Sequence, residues 1–124
     1  MFRIAKSFTF CAAHQLSGLP TGHKCARMHG HNYIVEVVLA AETLVEPGFV
    51  TDFADLAPFG RYLAEQVDHR CLNEVLPVSP TSERLARHFA EWITQHMGSA
   101  MGGRVERVRV SETSSTWAEY VVAR

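Results

Sequence analysis

Three histidines, one cysteine and two carboxylates stand where their side chains can do chemistry together. His29-Gly30-His31 opens a segment rich in Tyr, Ile, Val and Leu. In an extended strand, residues two apart project from the same side, so both imidazoles can converge on one metal ion. His14 ends an earlier row of alternating apolar residues and is the natural third ligand once the two segments lie side by side. Three nitrogen ligands without a fourth from the protein describe a catalytic zinc site with an open position, whereas a structural site closes its tetrahedron, usually with cysteine. Cys25, four residues before His29, admits two readings. It can be that fourth ligand, or, among His23, Lys24 and Arg27, a thiolate-favouring base or nucleophile.

The remaining polar candidates are equally two-sided. Asp68-His69 is either a surface pair at a helix end or an acid-base dyad. Glu112 shares strand parity with Val108 and Val110, which makes it either a solvated edge carboxylate or one at a pocket rim that receives a ligand's N–H groups. His88 and His96, interleaved with Arg87 and Glu91, read as residues of a solvated helix face, and Cys11 and Cys71, with apolar neighbours, as core thiols.

The elements that must position these groups follow from periodicity. Phe2, Ile4, Phe8, Phe10 and Ala12 alternate, interrupted only by Lys6, so 2–14 is expected to be a strand with one buried face. Gly18, Pro20 and Gly22 mark 15–28 as a loop, and 29–41 reads as a second strand. After the Pro47-Gly48 turn the period changes to that of a helix, with Leu56, Phe59, Leu63 and Val67 on one face. Pro58 is tolerated only in a first turn, so Asp55 is a better N-cap than Asp52 unless a loose turn precedes the helix. Ser79-Pro80 suggests the N-cap and first residue of a second helix, carrying Leu85, Phe89 and Ile93 and ending at Gly98. A strand around Val108 and Val110 and a last strand over 117–123 complete a ββααββ order. This is an α+β fold, an antiparallel sheet with two helices on one face. The other face, expected to hold Val, Trp and Tyr, calls for burial in an oligomer.

Composition bounds the functions available. The 124 residues form one domain, 1–124, and 47% hydrophobic content supports a core. Twelve Lys+Arg against thirteen Asp+Glu give a net charge of −1, which argues against nucleic acid or an anionic membrane as partner. Apolar runs fall well short of the roughly 20 residues of a membrane helix. Three cysteines without CxxC spacing, and no secretory-signal pattern, point to the cytoplasm.

The motifs Phe10-Cys11-Ala12-Ala13-His14, Gly22-His23-Lys24-Cys25, His29-Gly30-His31-Asn32, Asp52-Phe53, Asp68-His69 with Leu72-Asn73, Pro80-Thr81-Ser82-Glu83 and Ser111-Glu112-Thr113 occur in that order. Together they resemble the 6-pyruvoyl tetrahydropterin synthase superfamily over essentially the whole chain. Three residues separate Cys25 from the His-Gly-His, as in the bacterial 6-carboxy-5,6,7,8-tetrahydropterin synthases of queuosine biosynthesis; the animal pyruvoyl enzymes typically carry a longer insertion there. The resemblance implies a tunnelling fold, in which subunits join their sheets into barrels and active sites form between subunits of a homo-oligomer, a hexamer or tetramer. It implies zinc on His14, His29 and His31, Cys25 as catalytic base, and Asp68 and His69 as a proton relay reaching a site built with another subunit. Glu112 would anchor the pterin edge, with backbone contacts from Thr81 and Ser82. The implied reaction converts 7,8-dihydroneopterin triphosphate to 6-carboxytetrahydropterin, acetaldehyde and triphosphate. The alternatives are a pyruvoyl synthase, which only eliminates triphosphate, and a non-catalytic zinc-stabilised oligomeric module in which Cys25 closes the metal site.

Overall fold

The two long strands run as their alternation predicts. The computed structural model describes residues 1–98 and 101–123. Strands β1 (Phe2–His14) and β2 (His29–Ala41) pair antiparallel without a break, from Phe2 opposite Ala41 to His14 opposite His29. Each strand thus presents one set of alternate side chains to the core, and Phe10, Tyr33, Val35, Val37 and Leu39 are buried there. After helix α1 (Ala57–Tyr62) come strand β3 (Arg70–Cys71), helix α2 (Ser82–Met97) and strands β4 (Arg104–Thr113) and β5 (Thr116–Val121). The sheet order is β3-β1-β2-β4-β5.

This sheet departs from the expected all-antiparallel form. The two-residue β3 lies parallel to β1, with Ala12 opposite Arg70 and Ala13 opposite Cys71, which makes the sheet mixed. So short a strand carries no periodic signal, and its place is set by long-range pairing. The sheet also stays open within one chain, with β3 and β5 at its two edges.

Leu56, Phe59, Leu63 and Val67 are all buried, as their spacing predicts, although the backbone beneath them is not one helix. A 3-10 turn (Phe53–Leu56), α1 and a π turn (Leu63–Val67) follow one another. Asp52, rather than Asp55, caps the start, its carboxylate accepting the Ala54 N–H at 2.9 Å, and the preliminary turn leaves Pro58 harmless in the first turn of α1. In α2 the N-cap is Thr81, not Ser79; its hydroxyl accepts the Arg84 N–H at 3.2 Å. Leu85, Phe89 and Ile93 face the sheet, and Phe89 meets Phe10 and Phe59 edge to face. Aromatic side chains buried this completely are worth several kcal/mol each, about 3–5 when truncated to alanine.

The opposite face of the sheet is open. Ile34, Trp117 and Val121 are exposed on it, and Arg109 lies over the Trp117 ring at 3.7 Å while also pairing with Glu119. Tyr120 instead packs against the core on the helix side, under Arg87. Cys11 has the parity of the open face and is exposed, not a core thiol, and Cys71 is half-buried. Among the described residues, no helix is long and apolar enough to cross a membrane.

Candidate metal centre and active site

Because β1 and β2 end in register, His14 stands directly opposite His29, and His31 lies opposite Ala12. All three imidazoles therefore emerge on the helix side of the sheet. Their ring centroids are 4.6 to 5.2 Å apart, and one nitrogen from each falls within 4.8 Å of the other two. Gly30, between them in sequence, lines a groove together with Cys11 and Asn32.

Backbone carbonyls decide which nitrogens are free. His14 Nδ1 donates to the Pro80 carbonyl at 2.9 Å, and His29 Nδ1 to the Arg27 carbonyl at 2.7 Å. A carbonyl only accepts, so in each ring Nδ1 is the nitrogen that carries a proton and Nε2 is the one available to ligate. Those two Nε2 atoms face each other at 3.0 Å, so that either a shared proton or a bound cation can bridge them. His31 Nε2 is buried without a hydrogen-bond partner; Glu112 Oε2 stands 3.5 Å away, beyond a good hydrogen bond. Burial holds the His31 imidazole below the usual histidine pKa range. Its neighbours His14 and His29 reinforce that shift and Glu112 opposes it, so the ring stays neutral and ready to ligate. The trio can hold a metal ion, with carbonyl partners that orient two of the ligands.

Two neighbours escape sequence reasoning. Tyr33 is fully buried, with its ring against His14 and His31 and its hydroxyl 3.3 Å from His14 Nδ1. Burial, aided by the Glu112 carboxylate, raises that hydroxyl well above its ordinary pKa, so it remains protonated. Its position two residues beyond His31, on the same strand face, is the signal that could have found it. The Pro80 carbonyl, a backbone group, leaves no such trace.

Glu112 takes the core-side parity expected from Val108 and Val110. The β4–β5 register slips between Val110 and Thr113, and no ladder pair with β5 is made at Glu112. Its Oε1 accepts a hydrogen bond from Ser82 Oγ at 2.9 Å and lies 3.9 Å from His14 Nε2. The start of α2 thus supplies three successive residues: Pro80 orients His14, Thr81 caps the helix and Ser82 holds Glu112. A carboxylate with one oxygen so held and a free edge beside it can receive paired N–H donors.

Cys25 sits in a half-buried 3-10 turn (Lys24–Ala26), where His23 Nδ1 accepts its N–H at 3.1 Å. Among the described residues, the cluster of ligand atoms within 4.8 Å of one another comprises the three histidines and leaves Cys25 outside. The cluster therefore does not include Cys25 as a fourth ligand.

Asp68 and His69 lie elsewhere. Asp68 Oδ1 accepts the Cys11 N–H at 2.8 Å and Oδ2 meets His69 Nδ1 at 3.0 Å, while the His69 N–H donates to the Cys11 carbonyl at 2.6 Å. The Cys11 hydrogen bond, reinforced by His69, lowers the Asp68 pKa and keeps its carboxylate ionised. His69 has φ = 59°, a left-handed conformation that costs a side-chain-bearing residue energy and recurs at functional sites. Its imidazole is 81% exposed. With Cys11, Asn32 and Cys71 it lines a groove of about 540 Å³ that includes outward-facing residues of the open sheet. His88 is not a solvated-face residue; it is half-buried, with Nε2 2.7 Å from the Tyr62 hydroxyl.

Comparison with known proteins adds relatives to this geometry. The family model described as 6-pyruvoyl tetrahydropterin synthase matches residues 3–122. A 6-carboxy-5,6,7,8-tetrahydropterin synthase of Synechocystis is 36% identical over 130 residues, covering 100% of this chain and 96% of that protein. A dihydroneopterin monophosphate aldolase of Pyrococcus furiosus is 30% identical over 109 residues, covering 88% and 86%. The solved 6-pyruvoyl tetrahydropterin synthase of Caenorhabditis elegans superposes with a TM-score of 0.83 at 27% identity, covering 98% and 96% of the two chains.

Proposed function

The chain belongs to the 6-pyruvoyl tetrahydropterin synthase family, and within it we propose that it is a 6-carboxy-5,6,7,8-tetrahydropterin synthase. Its substrates are 7,8-dihydroneopterin triphosphate and water, and the products are 6-carboxytetrahydropterin, acetaldehyde and triphosphate, as a step of queuosine biosynthesis. The observation that carries this reading is the three-imidazole cluster with Glu112 beside it and Cys25 outside the ligand set, in a chain that aligns along its full length with a synthase of that name.

His14, His29 and His31 would hold zinc, which when bound would act as a Lewis acid on the hydroxyls of the substrate's side chain and so acidify the adjacent C–H bonds. Cys25 removes a proton from that side chain. Glu112 accepts two N–H bonds from the pterin edge, steadied by Ser82, and fixes the ring so that the reacting carbons sit near the base. Backbone groups of Thr81 and Ser82 border the same edge. Asp68 orients His69 for the second proton transfer. Since the dyad hangs from the Cys11 backbone and its exposed imidazole borders the open-face groove, it serves the site of another subunit. A homo-oligomer, hexamer or tetramer, supplies that neighbour, and the exposed Ile34, Trp117 and Val121 and the two open sheet edges are consistent with it.

The test is to incubate zinc-loaded protein with 7,8-dihydroneopterin triphosphate and identify products by mass spectrometry. Carboxytetrahydropterin and acetaldehyde are expected. Pyruvoyl tetrahydropterin with triphosphate would instead assign simple elimination, and zinc-replete protein without turnover would favour a structural module.

A further inference from the structure

Asn73 belongs to a motif that the proposed chemistry leaves unused. Strand β3 pairs with β1 only at Ala12 and Ala13, so in the same register Asn73 comes level with Gln15, the residue after His14. There its side chain does what a strand backbone would do. Asn73 Oδ1 accepts the Gln15 N–H and Asn73 Nδ2 donates to the Gln15 carbonyl, both at 2.9 Å. The Cys71 thiol also approaches Asn73 Oδ1, at 3.6 Å.

Gln15, with its backbone so held, reaches the Cys25 turn. Its Nε2 donates to the Ala26 carbonyl at 2.9 Å, and the next N–H along, from Leu16, donates to the Cys25 carbonyl at 3.2 Å. Two successive carbonyls of the turn are thus tethered from one point. The turn has no buried residue to anchor it by packing, so its place depends on hydrogen bonds. We infer that Asn73, acting through Gln15, is a positioning residue for the Cys25 thiol. One amide couples the end of the ligand strand, the turn that carries the proposed base and the segment that carries the dyad.

The inference rests on Cys25 as the base, and its test separates the two. Gln15→Met keeps the backbone pair with Asn73 and removes only the tether to Ala26; Asn73→Ala removes the whole link. Cys25 alkylation by iodoacetamide, followed by peptide mass spectrometry, reports the thiol's position without any turnover. For Gln15→Met the Cys25 rate is expected to change about threefold or more relative to the wild-type protein, and kcat to fall about tenfold with KM within about twofold, since small misplacements of a reacting group cost this much or more. Zinc content is expected to stay at the wild-type level. Gln15→Lys, which restores a long donor, should recover much of the lost kcat. Unchanged Cys25 alkylation and kcat in Gln15→Met would overturn the inference at its Gln15 step even if Asn73→Ala fails to fold, and the same result in a folded Asn73→Ala would overturn it at Asn73. If Cys25→Ala itself leaves turnover intact, the reading of Cys25 as base fails, while the alkylation result still reports whether the tether positions the thiol.

Discussion

Replacing Glu112 by glutamine is expected to weaken pterin binding by about 10- to 100-fold and to leave metal content unchanged. The substitution keeps the length and shape of the side chain, and the remaining amide oxygen can still accept the Ser82 hydroxyl that now sits 2.9 Å from Oε1. What disappears is the charge and the second acceptor. A pterin edge presenting two N–H donors then meets one carbonyl oxygen and one opposing NH2 group. A hydrogen bond to a charged group contributes about 1.5–3 kcal/mol, and about 1.4 kcal/mol is a factor of ten in affinity, so losing one such bond gives the range stated. The metal should be retained because all three imidazoles remain. Calorimetric titration of a non-reactive pterin into both proteins, each loaded with zinc, makes the measurement. Equal affinities would show that Glu112 does not meet the pterin and would refute the reasoning.

Wild-type protein is expected to carry about one zinc per chain by elemental analysis, and alanine at His14, His29 or His31 to abolish it; full occupancy in all three variants would overturn the ligand assignment. Cys25→Ala should keep the metal and lose roughly 10²-fold or more in turnover. If the dyad serves a neighbouring subunit, Cys25→Ala and His69→Ala proteins, each inactive alone, should regain turnover when co-assembled, and no recovery in verified mixed oligomers would place the dyad outside a shared site. His88 gives a pH signature. Burial lowers its pKa in the fold, so as pH falls through about 6.5 the unfolded chain takes up a proton that the folded one resists. Its contribution is complete above that value and declines below it. In metal-free protein, the drop in Tm between pH 7 and 5 should be smaller for His88→Gln, as followed by circular dichroism.

Much of this molecule is legible in its residues because alternation along a strand is a local property of the backbone. The bounds of β1 and β2 follow from it, and so does the shared side of His29 and His31. The buried row Leu56, Phe59, Leu63 and Val67 is equally readable. Periodicity identifies a face, however, and not the hydrogen-bond pattern beneath it, so the three successive turn types were out of reach. The start of α2 shows how tertiary contacts choose between local options. Ser79 Oγ is engaged by Ser17 and the Pro80 carbonyl by His14, and the cap falls to Thr81.

Residue types and spacing alone named the three histidines, Cys25 and Glu112 as chemical candidates. Only the tertiary structure decided how they stand. The β1–β2 register puts His14 opposite His29, and the Pro80 carbonyl, 66 residues further along the chain, sets which His14 nitrogen is free. The parallel pairing of the two-residue β3 carries Asp68 and His69 to the Cys11 backbone, with His69 exposed beside the open-face groove. These outcomes depend on contacts between residues far apart in the chain, and a hydrogen bond between a side chain and a remote backbone carbonyl leaves no periodicity in the sequence to be read.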